Sequence, residues 1–214
     1  MSAKEIDRFL RLVNKADWAT LSMSRKDCHA KNVSSIVVAN RDGRLVRAFL
    51  ATPGHSLWKN DIERGEILTC GVHDHRYKIG LYGICGDAQN IIFDYGTKWL
   101  MYRYQFSSAI SGDGTAVKMP MVFLDKVNSV RIGPHLQTLE ADVLHTVSVP
   151  KGERAAWWVH EGTTLKEKTT LLTNATSIDI KGLYHKFKSK DELLSHVEQF
   201  FAYPKVDISH IPRL

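Results

Sequence analysis

The sequence has no long apolar segment and few cysteines, and each of these absences excludes a class of protein. No hydrophobic run approaches the roughly 20 residues of a membrane-spanning helix, so no membrane insertion is expected. Residues Met1–Arg8 include acids and lack the apolar core of a signal peptide. Cys28, Cys70 and Cys85 are odd in number and widely spaced, which indicates thiols rather than a disulfide framework. Together these features predict a cytoplasmic protein.

The sequence also has no block of consecutive basic residues, although its formal net charge is +6. Lysines and arginines alternate with acids, as in Lys166-Glu167-Lys168, which is typical of a solvated surface. No nucleic-acid recognition motif is present, so binding to nucleic acid is not expected. A small-molecule substrate is the partner that we predict, and the oligomeric state stays open.

Helical patterns flank a long β-rich region. Apolar residues recur at helical spacing from Ala3 to Lys15, and they recur again after Ser189, where Glu192 completes a capping box. From Trp18 to about Val149, short β-rich runs are separated by turn signals with no helical pattern between them, which predicts an antiparallel sandwich or small barrel. These runs include Ile67–Val72, Asn90–Asp94 and Trp99–Phe106.

The whole chain, 1–214, is interpreted as a single domain. It comprises an N-terminal helix (1–17), a barrel (18–173) with an insertion at about 96–120, and a C-terminal helical extension (174–214). The insertion is inferred from the long separation between the second and third of the histidines considered next.

Three histidines lie in two segments with strand-like alternation. His73 and His75 would point to the same side of an extended segment, because residues i and i+2 share a face. His145 shares a face with Val147 and Val149 in a later run. Two neighbouring imidazoles and a third from another strand would bind a divalent transition metal on one side and leave its other positions open. The alternative is a barrel whose interior polar residues hold no metal.

These segments resemble the cupin superfamily, whose small jelly-roll barrels supply an HxH motif and a later histidine. The resemblance covers roughly residues 46–162. The carboxylate that many cupins place a few residues after HxH is absent at about Ile79, so the set is more similar to cysteine dioxygenase and related three-histidine thiol dioxygenases. That resemblance implies Fe(II) as the cofactor. Because neutral imidazoles suit several metals, Zn, Ni, Mn and Cu stay open.

The same resemblance suggests roles for further residues. Arg47 matches the arginine that binds the substrate carboxylate, Gly80 matches a position that carries a cross-linked cysteine or a glycine, and His160 matches a histidine that orients a ligand. Gly162 departs from the family, which has a substrate-contacting tyrosine there. Alternation places Tyr77 on the same face as His75, which makes it a candidate catalytic residue.

Alternation in Arg44–Leu50 puts Leu45, Arg47 and Phe49 on one face but does not decide which face points inward. An inward Arg47 between two apolar side chains would require a carboxylate or phosphate partner, because an unpaired buried charge is costly.

Three functions follow as hypotheses: a non-haem Fe(II) dioxygenase acting on a small anionic molecule, a non-catalytic binding or regulatory module, and a metal-dependent isomerase. The isomerase is disfavoured because no acid–base pair is evident in the sequence.

Overall fold

A computed structural model describes residues 3–28, 33–52, 71–106, 116–150, 153–174 and 184–202. The elements in these ranges, in chain order, are α1 (Ala3–Lys15), α2 (Trp18–Leu21), β1 (Arg25–Lys26), β2 (Val33–Arg41), β3 (Arg44–Ala51), β4 (Val72–His73), β5 (Tyr77–Cys85), β6 (Gln89–Phe106), β7 (Ala116–Arg131), β8 (Gln137–Leu139), β9 (Leu144–Ser148), β10 (Ala155–Thr164), β11 (Thr169–Thr173), β12 (His185–Lys186) and α3 (Lys190–Ala202).

The strands form two antiparallel sheets with jelly-roll connectivity. One sheet contains the order β3-β10-β5-β8 and the other contains β4-β9-β6-β7, so the chain passes repeatedly from sheet to sheet. This arrangement of eight strands is a double-sheet jelly roll. Strands β2, β1 and β12 extend the first sheet beyond β3, and β11 extends the second beyond β4. The prediction of a mainly β, antiparallel jelly roll with an N-terminal and a C-terminal helix is confirmed.

Two apolar layers hold this arrangement together. Between the sheets, Phe49 and Trp157 stack with ring centroids 5.6 Å apart in a core that also contains Val147 of β9. On the outer face of the first sheet, Phe9 of α1 contacts Trp158 with ring centroids 5.3 Å apart, and Val197 of α3 joins the same cluster. Consecutive residues of β10 therefore belong to different layers: Trp157 faces the inside of the jelly roll and Trp158 faces the helices.

The observed strands differ from the predicted ones in several places. Two predicted runs, Asn90–Asp94 and Trp99–Phe106, are parts of one 18-residue strand, β6, which pairs with β9 along its first half and with β11 along its second. The two-residue strands β1 and β12 were not predicted, because so short a segment carries no readable alternation. The predicted run Ile67–Val72 lies mostly outside the described residues.

The described parts of the predicted insertion at about 96–120 belong to β6 and β7, which pair from Gln89↔Arg131 to Phe106↔Ala116. Residues 107–115 lie outside the described ranges. Within those ranges, no helix is both long and apolar enough to cross a membrane. Cys28 and Cys85 are free thiols, and Cys70 lies outside the described residues.

Candidate metal centre

The backbone pairing of the second sheet brings His73 and His145 together. Strand β4 is only two residues long and lies between β9 and β11, with His73 directly opposite His145 on one side and opposite Leu171 on the other. Residues directly opposite on antiparallel strands share a face and have neighbouring side chains. Because Val147 of β9 belongs to the core between the sheets, His145 also points into the jelly roll.

His75 reaches the same point from the turn that leads from β4 to β5. Its backbone N–H donates to the carbonyl of Ala141 at 2.9 Å, which fixes the turn beside the start of β9. The ring centroid of His75 is 5.0 Å from that of His73 and 4.9 Å from that of His145, and the centroids of His73 and His145 are 4.8 Å apart. The structure therefore brings the three sequence-predicted metal ligands together.

The ligand-bearing atoms of these rings have the spacing of a metal centre. One nitrogen from each ring lies within 4.8 Å of the others, and Nε2 of His75 is 2.7 Å from Nε2 of His145. Two nitrogens that bind one ion at about 2.1 Å each are about 3 to 4 Å apart. The observed separations bracket this range, so the residues fit a transition-metal ion.

The second nitrogen of two of these rings is already engaged. Nδ1 of His73 is 3.0 Å from the carbonyl oxygen of Gly71, and Nδ1 of His145 is 2.6 Å from Oδ1 of Asn90. Both partners are acceptors, so each Nδ1 carries the hydrogen and each Nε2 presents its lone pair to the centre. Metal-binding histidines in proteins are oriented in this way.

Asp74 fixes the backbone between His73 and His75 from the opposite side. Its Oδ1 accepts from the backbone N–H of Thr170 at 2.7 Å, and its Oδ2 forms an ion pair with Nζ of Lys166 at 2.7 Å. The backbone N–H of Asp74 donates to the carbonyl of Thr170 at 3.1 Å. The middle residue of the HxH motif thus attaches the two flanking histidines to β11.

Burial favours the neutral form of His73. Desolvation lowers its pKa, and this effect exceeds the opposing effects of the Gly71 carbonyl and the Asp74 carboxylate. A neutral imidazole is the form that binds a metal.

Arg47, Tyr77 and Glu161 form a polar group next to the histidines. The ring of Tyr77 stacks on that of His75 with centroids 5.8 Å apart, and its hydroxyl accepts from Nη2 of Arg47 at 2.9 Å. The same hydroxyl donates to Oε1 of Glu161 at 2.6 Å, and the Arg47 guanidinium forms an ion pair with this carboxylate. Sequence reasoning required an anionic partner for Arg47, and Glu161 of the chain itself provides one.

This polar group is well shielded from solvent. The side chains of Arg47 and Glu161 are 13% and 2% exposed, respectively. The Arg47 guanidinium lies 5.8 Å from the ring centroid of Phe49, inside the jelly roll. The other carboxylate oxygen of Glu161 accepts from the backbone N–H of Leu45 at 3.2 Å. Both oxygens of Glu161 are therefore engaged by groups of the chain.

His160 does not join the three histidines. His160 is exposed, and its ring centroid is 6.4 Å from that of Trp158 on the outer face of the first sheet. In the sheet, it lies directly opposite Gly80 of the neighbouring strand β5. Its neighbours on β10, Val159 and Glu161, point to the inside. The role predicted for His160, orienting a metal ligand, does not fit this position, because side chains alternate along a strand.

Gly80 also faces outward, since a Cβ built on it would meet the side chains of Leu136 and His160. Of the correspondences with thiol dioxygenases, those of His160 and Gly80 are therefore not reproduced.

Asn90 and Glu161 were missed by sequence reasoning. Both are buried in the structure. In the sequence, Asn90 adjoins the apolar run 91–93 and Glu161 follows the apolar run 155–159 by two residues, and a polar residue close to such a run is the signal that could have pointed to them.

No protein-family model matches the chain, and no curated protein matches it. Among solved structures, hydroxypropylphosphonic acid epoxidase from S. wedmorenis is similar with a TM-score of 0.34 and 8% identity, over 63% of this chain and 53% of the enzyme. A cupin-2 domain from Rhodospirillum rubrum has a TM-score of 0.31 and 13% identity, over 63% of each chain.

Hydroquinone 1,2-dioxygenase from Sphingomonas sp. TTNP3 has a TM-score of 0.32 and 8% identity, over 71% of this chain and 73% of the enzyme. For comparison, the chain spans about half the length of the epoxidase. Because all these TM-scores are below 0.5, the jelly-roll assignment rests on the strand order of the chain itself. The three-histidine cluster lies between its two sheets.

Proposed function

We propose that the protein is a metal-dependent enzyme in which His73, His75 and His145 bind one divalent transition metal through their Nε2 atoms. The observation that carries this proposal is the convergence of three imidazoles, two of which have Nδ1 held by a chain acceptor. Three neutral ligands leave the charge of a divalent ion uncompensated and leave several of its positions open. A small molecule that offers an anionic or lone-pair donor atom would bind there.

The more specific proposal is a non-haem Fe(II) oxygenase. Three histidines on one side of Fe(II) would allow a chelating substrate and oxygen to bind together, which is the chemistry that the metal would supply. The chain's own contribution is to hold the three imidazoles in register, to keep His73 neutral by burial, and to stack Tyr77, which is hydrogen-bonded to Arg47, on the ligand His75. Support for this version comes from the resemblance of the HxH motif and the later histidine to those of three-histidine thiol dioxygenases.

A metal-dependent isomerase is the second candidate, and one observation favours it. The hydroxyl of Tyr77 and the carboxylate of Glu161 are hydrogen-bonded at 2.6 Å, and Tyr77 stacks on His75. A carboxylate and a phenol at this distance form the kind of pair that moves a proton between neighbouring atoms of a substrate. The sequence had shown no such pair, because its two members are far apart along the chain.

The metal site is tested by elemental analysis of the protein after anaerobic reconstitution with Fe(II), Zn, Ni, Mn or Cu. We expect near-stoichiometric metal in the parent and strong loss in His73→Ala, His75→Ala and His145→Ala, because removing one of three ligands leaves an under-coordinated ion. His160→Ala is the matched control and should keep the parent's metal content. A parent that retained none of these metals would refute the proposal.

Oxygen uptake separates the two versions of the function. The Fe(II)-loaded protein should consume oxygen in the presence of β-mercaptopropionamide or catechol, and His75→Ala should not. Full metal occupancy without uptake of oxygen with either compound would favour the isomerase or a non-catalytic binding module.

A further inference from the structure

The charge of Arg47 bears on what kind of substrate the proposed metal site would accept. An arginine inside a binding site recognises a carboxylate or phosphate when its charge is available. Here the guanidinium is already paired with Glu161, whose carboxylate is 2% exposed and is also bonded to Tyr77 and to the backbone of Leu45. The pair is therefore locked by three separate contacts to the carboxylate.

A second carboxylate brought to Arg47 would meet Glu161 at close range. Two anions around one cation in a poorly solvated place repel each other, and such like-charge contacts exclude ligands efficiently. Displacing Glu161 instead would leave a buried carboxylate without its cation, which is also unfavourable. Both routes disfavour an anionic group at this position.

Arg47 nevertheless keeps a donor that the described chain does not use. Its Nε is buried, and no described residue accepts a hydrogen bond from it. A buried donor without an acceptor is unfavourable, and an uncharged oxygen would satisfy it without adding charge.

We propose that Glu161 makes the site selective for a small molecule that presents an uncharged oxygen acceptor, such as a carbonyl, an amide or a hydroxyl, to Arg47 rather than a carboxylate or phosphate. This inference rests on the proposed metal site, and it replaces the anionic substrate that the sequence suggested. Glu161 thus determines specificity through Arg47.

The test uses Co(II)-loaded protein and two probes of the same shape, β-mercaptopropionate and β-mercaptopropionamide. The thiolate of each probe would bind cobalt, and the thiolate-to-cobalt absorption reports its affinity. The two probes differ at the far end, where the amide is uncharged and has an NH2 group in place of one carboxylate oxygen.

The decisive comparison is between the parent and the doubly substituted Arg47→Met/Glu161→Gln variant, which removes both charges of a buried pair and is expected to fold. If Glu161 cancels the charge of Arg47 and Arg47 binds the uncharged acceptor, the double variant keeps the parent's carboxylate affinity to within about threefold and loses affinity for the amide, so the parent's preference for the amide disappears. If Arg47 is a carboxylate clamp in spite of Glu161, the double variant loses carboxylate affinity by about tenfold or more relative to the amide, and the inference is overturned.

The single variant Glu161→Gln should gain affinity for the carboxylate probe. Because Arg47 then has no carboxylate partner, it should bind this probe about tenfold more tightly than in the parent, while the affinity for the amide probe is unchanged. Glu161→Asp keeps the charge and should behave as the parent does. A tenfold gain that persisted in Arg47→Met/Glu161→Gln would show that Arg47 is not its source and would overturn the inference.

Cobalt content distinguishes failure of this inference from failure of the proposed function. A parent that binds no cobalt removes the metal site and the inference with it. A parent with full cobalt and a carboxylate preference that depends on Arg47 overturns the inference alone.

Discussion

Asn90 of β6 holds His145 of β9 through a diagonal contact across the sheet. The residue directly opposite Asn90 is Val147, yet its side-chain oxygen lies 2.6 Å from Nδ1 of His145, one same-face position away. Diagonal neighbours on antiparallel strands are within reach of longer side chains. Asn90 is 1% exposed, so this hydrogen bond is shielded from competing water.

Replacing Asn90 should weaken metal binding without removing any ligand. Asn90→Ala leaves Nδ1 of His145 without its acceptor, and loss of such an orienting partner typically lowers metal affinity by about 10- to 100-fold. Asn90→Asp keeps an acceptor and should retain the affinity of the parent. Competition with a chelator measures the metal affinity of both variants. The control is Asn128→Ala on the partner strand β7, where the exposed amide accepts from the backbone N–H of its neighbour Ser129. Equal affinities in Asn90→Ala and the parent would contradict the orienting role.

Asp74 should contribute to stability mainly through its bond to the backbone of β11. Asp74→Ala leaves the N–H of Thr170 without this acceptor, and a buried unsatisfied donor costs about 1 to 3 kcal/mol in the free energy of unfolding. Lys166→Met removes only the ion pair, in which the lysine side chain is 32% exposed, and should cost less than about 1 kcal/mol. Urea denaturation compares the two variants. Equal losses would assign the stabilisation to the ion pair instead.

The half-buried His196 should make the protein less stable in mild acid. Desolvation lowers its pKa below 6.5, and its Nε2 is 2.8 Å from Oγ of Ser34. In the folded state His196 stays neutral at a pH where the unfolded chain already binds a proton. Stability is therefore complete above about pH 6.5 and falls as the pH decreases from there to the lower folded pKa. Below the folded pKa, protonation of His196 causes no further loss of stability.

Chemical denaturation between pH 7 and 5 measures this effect. His196→Gln should lose less stability over the interval than the parent does. The exposed His185→Gln serves as the control and should follow the parent. A parallel pH dependence in His196→Gln and the parent would show that another group is responsible.

The features that the sequence predicted correctly are those with a regular local pattern. Helix α1 lies within the predicted N-terminal helix, 1–17, and covers the residues with helical spacing, Ala3–Lys15, which bury Phe9 and Val13. The three histidines could be grouped because alternation is a local property and because two of them lie two residues apart. The jelly roll itself followed from the succession of short runs and from the cupin resemblance.

The errors concern information that resides in pairing between distant strands. Asn90 and Glu161 act on His145 and Arg47, and no local spacing connects the members of either pair. His160 was assigned by its position in a resemblance. In a strand, a displacement of one residue moves a side chain to the opposite face, so Glu161 occupies the inner position and His160 the outer one.

The brevity of β4 has a consequence for the rate at which the proposed metal would be exchanged. Because β4 has only two residues, His73 is separated from His145 as soon as the few hydrogen bonds to β9 and β11 open, without any change in the larger sheet. Such local openings require much less free energy than global unfolding. Metal release to a chelator would then follow the opening rate of this short strand, and a core substitution elsewhere that lowers the melting temperature would leave that rate unchanged.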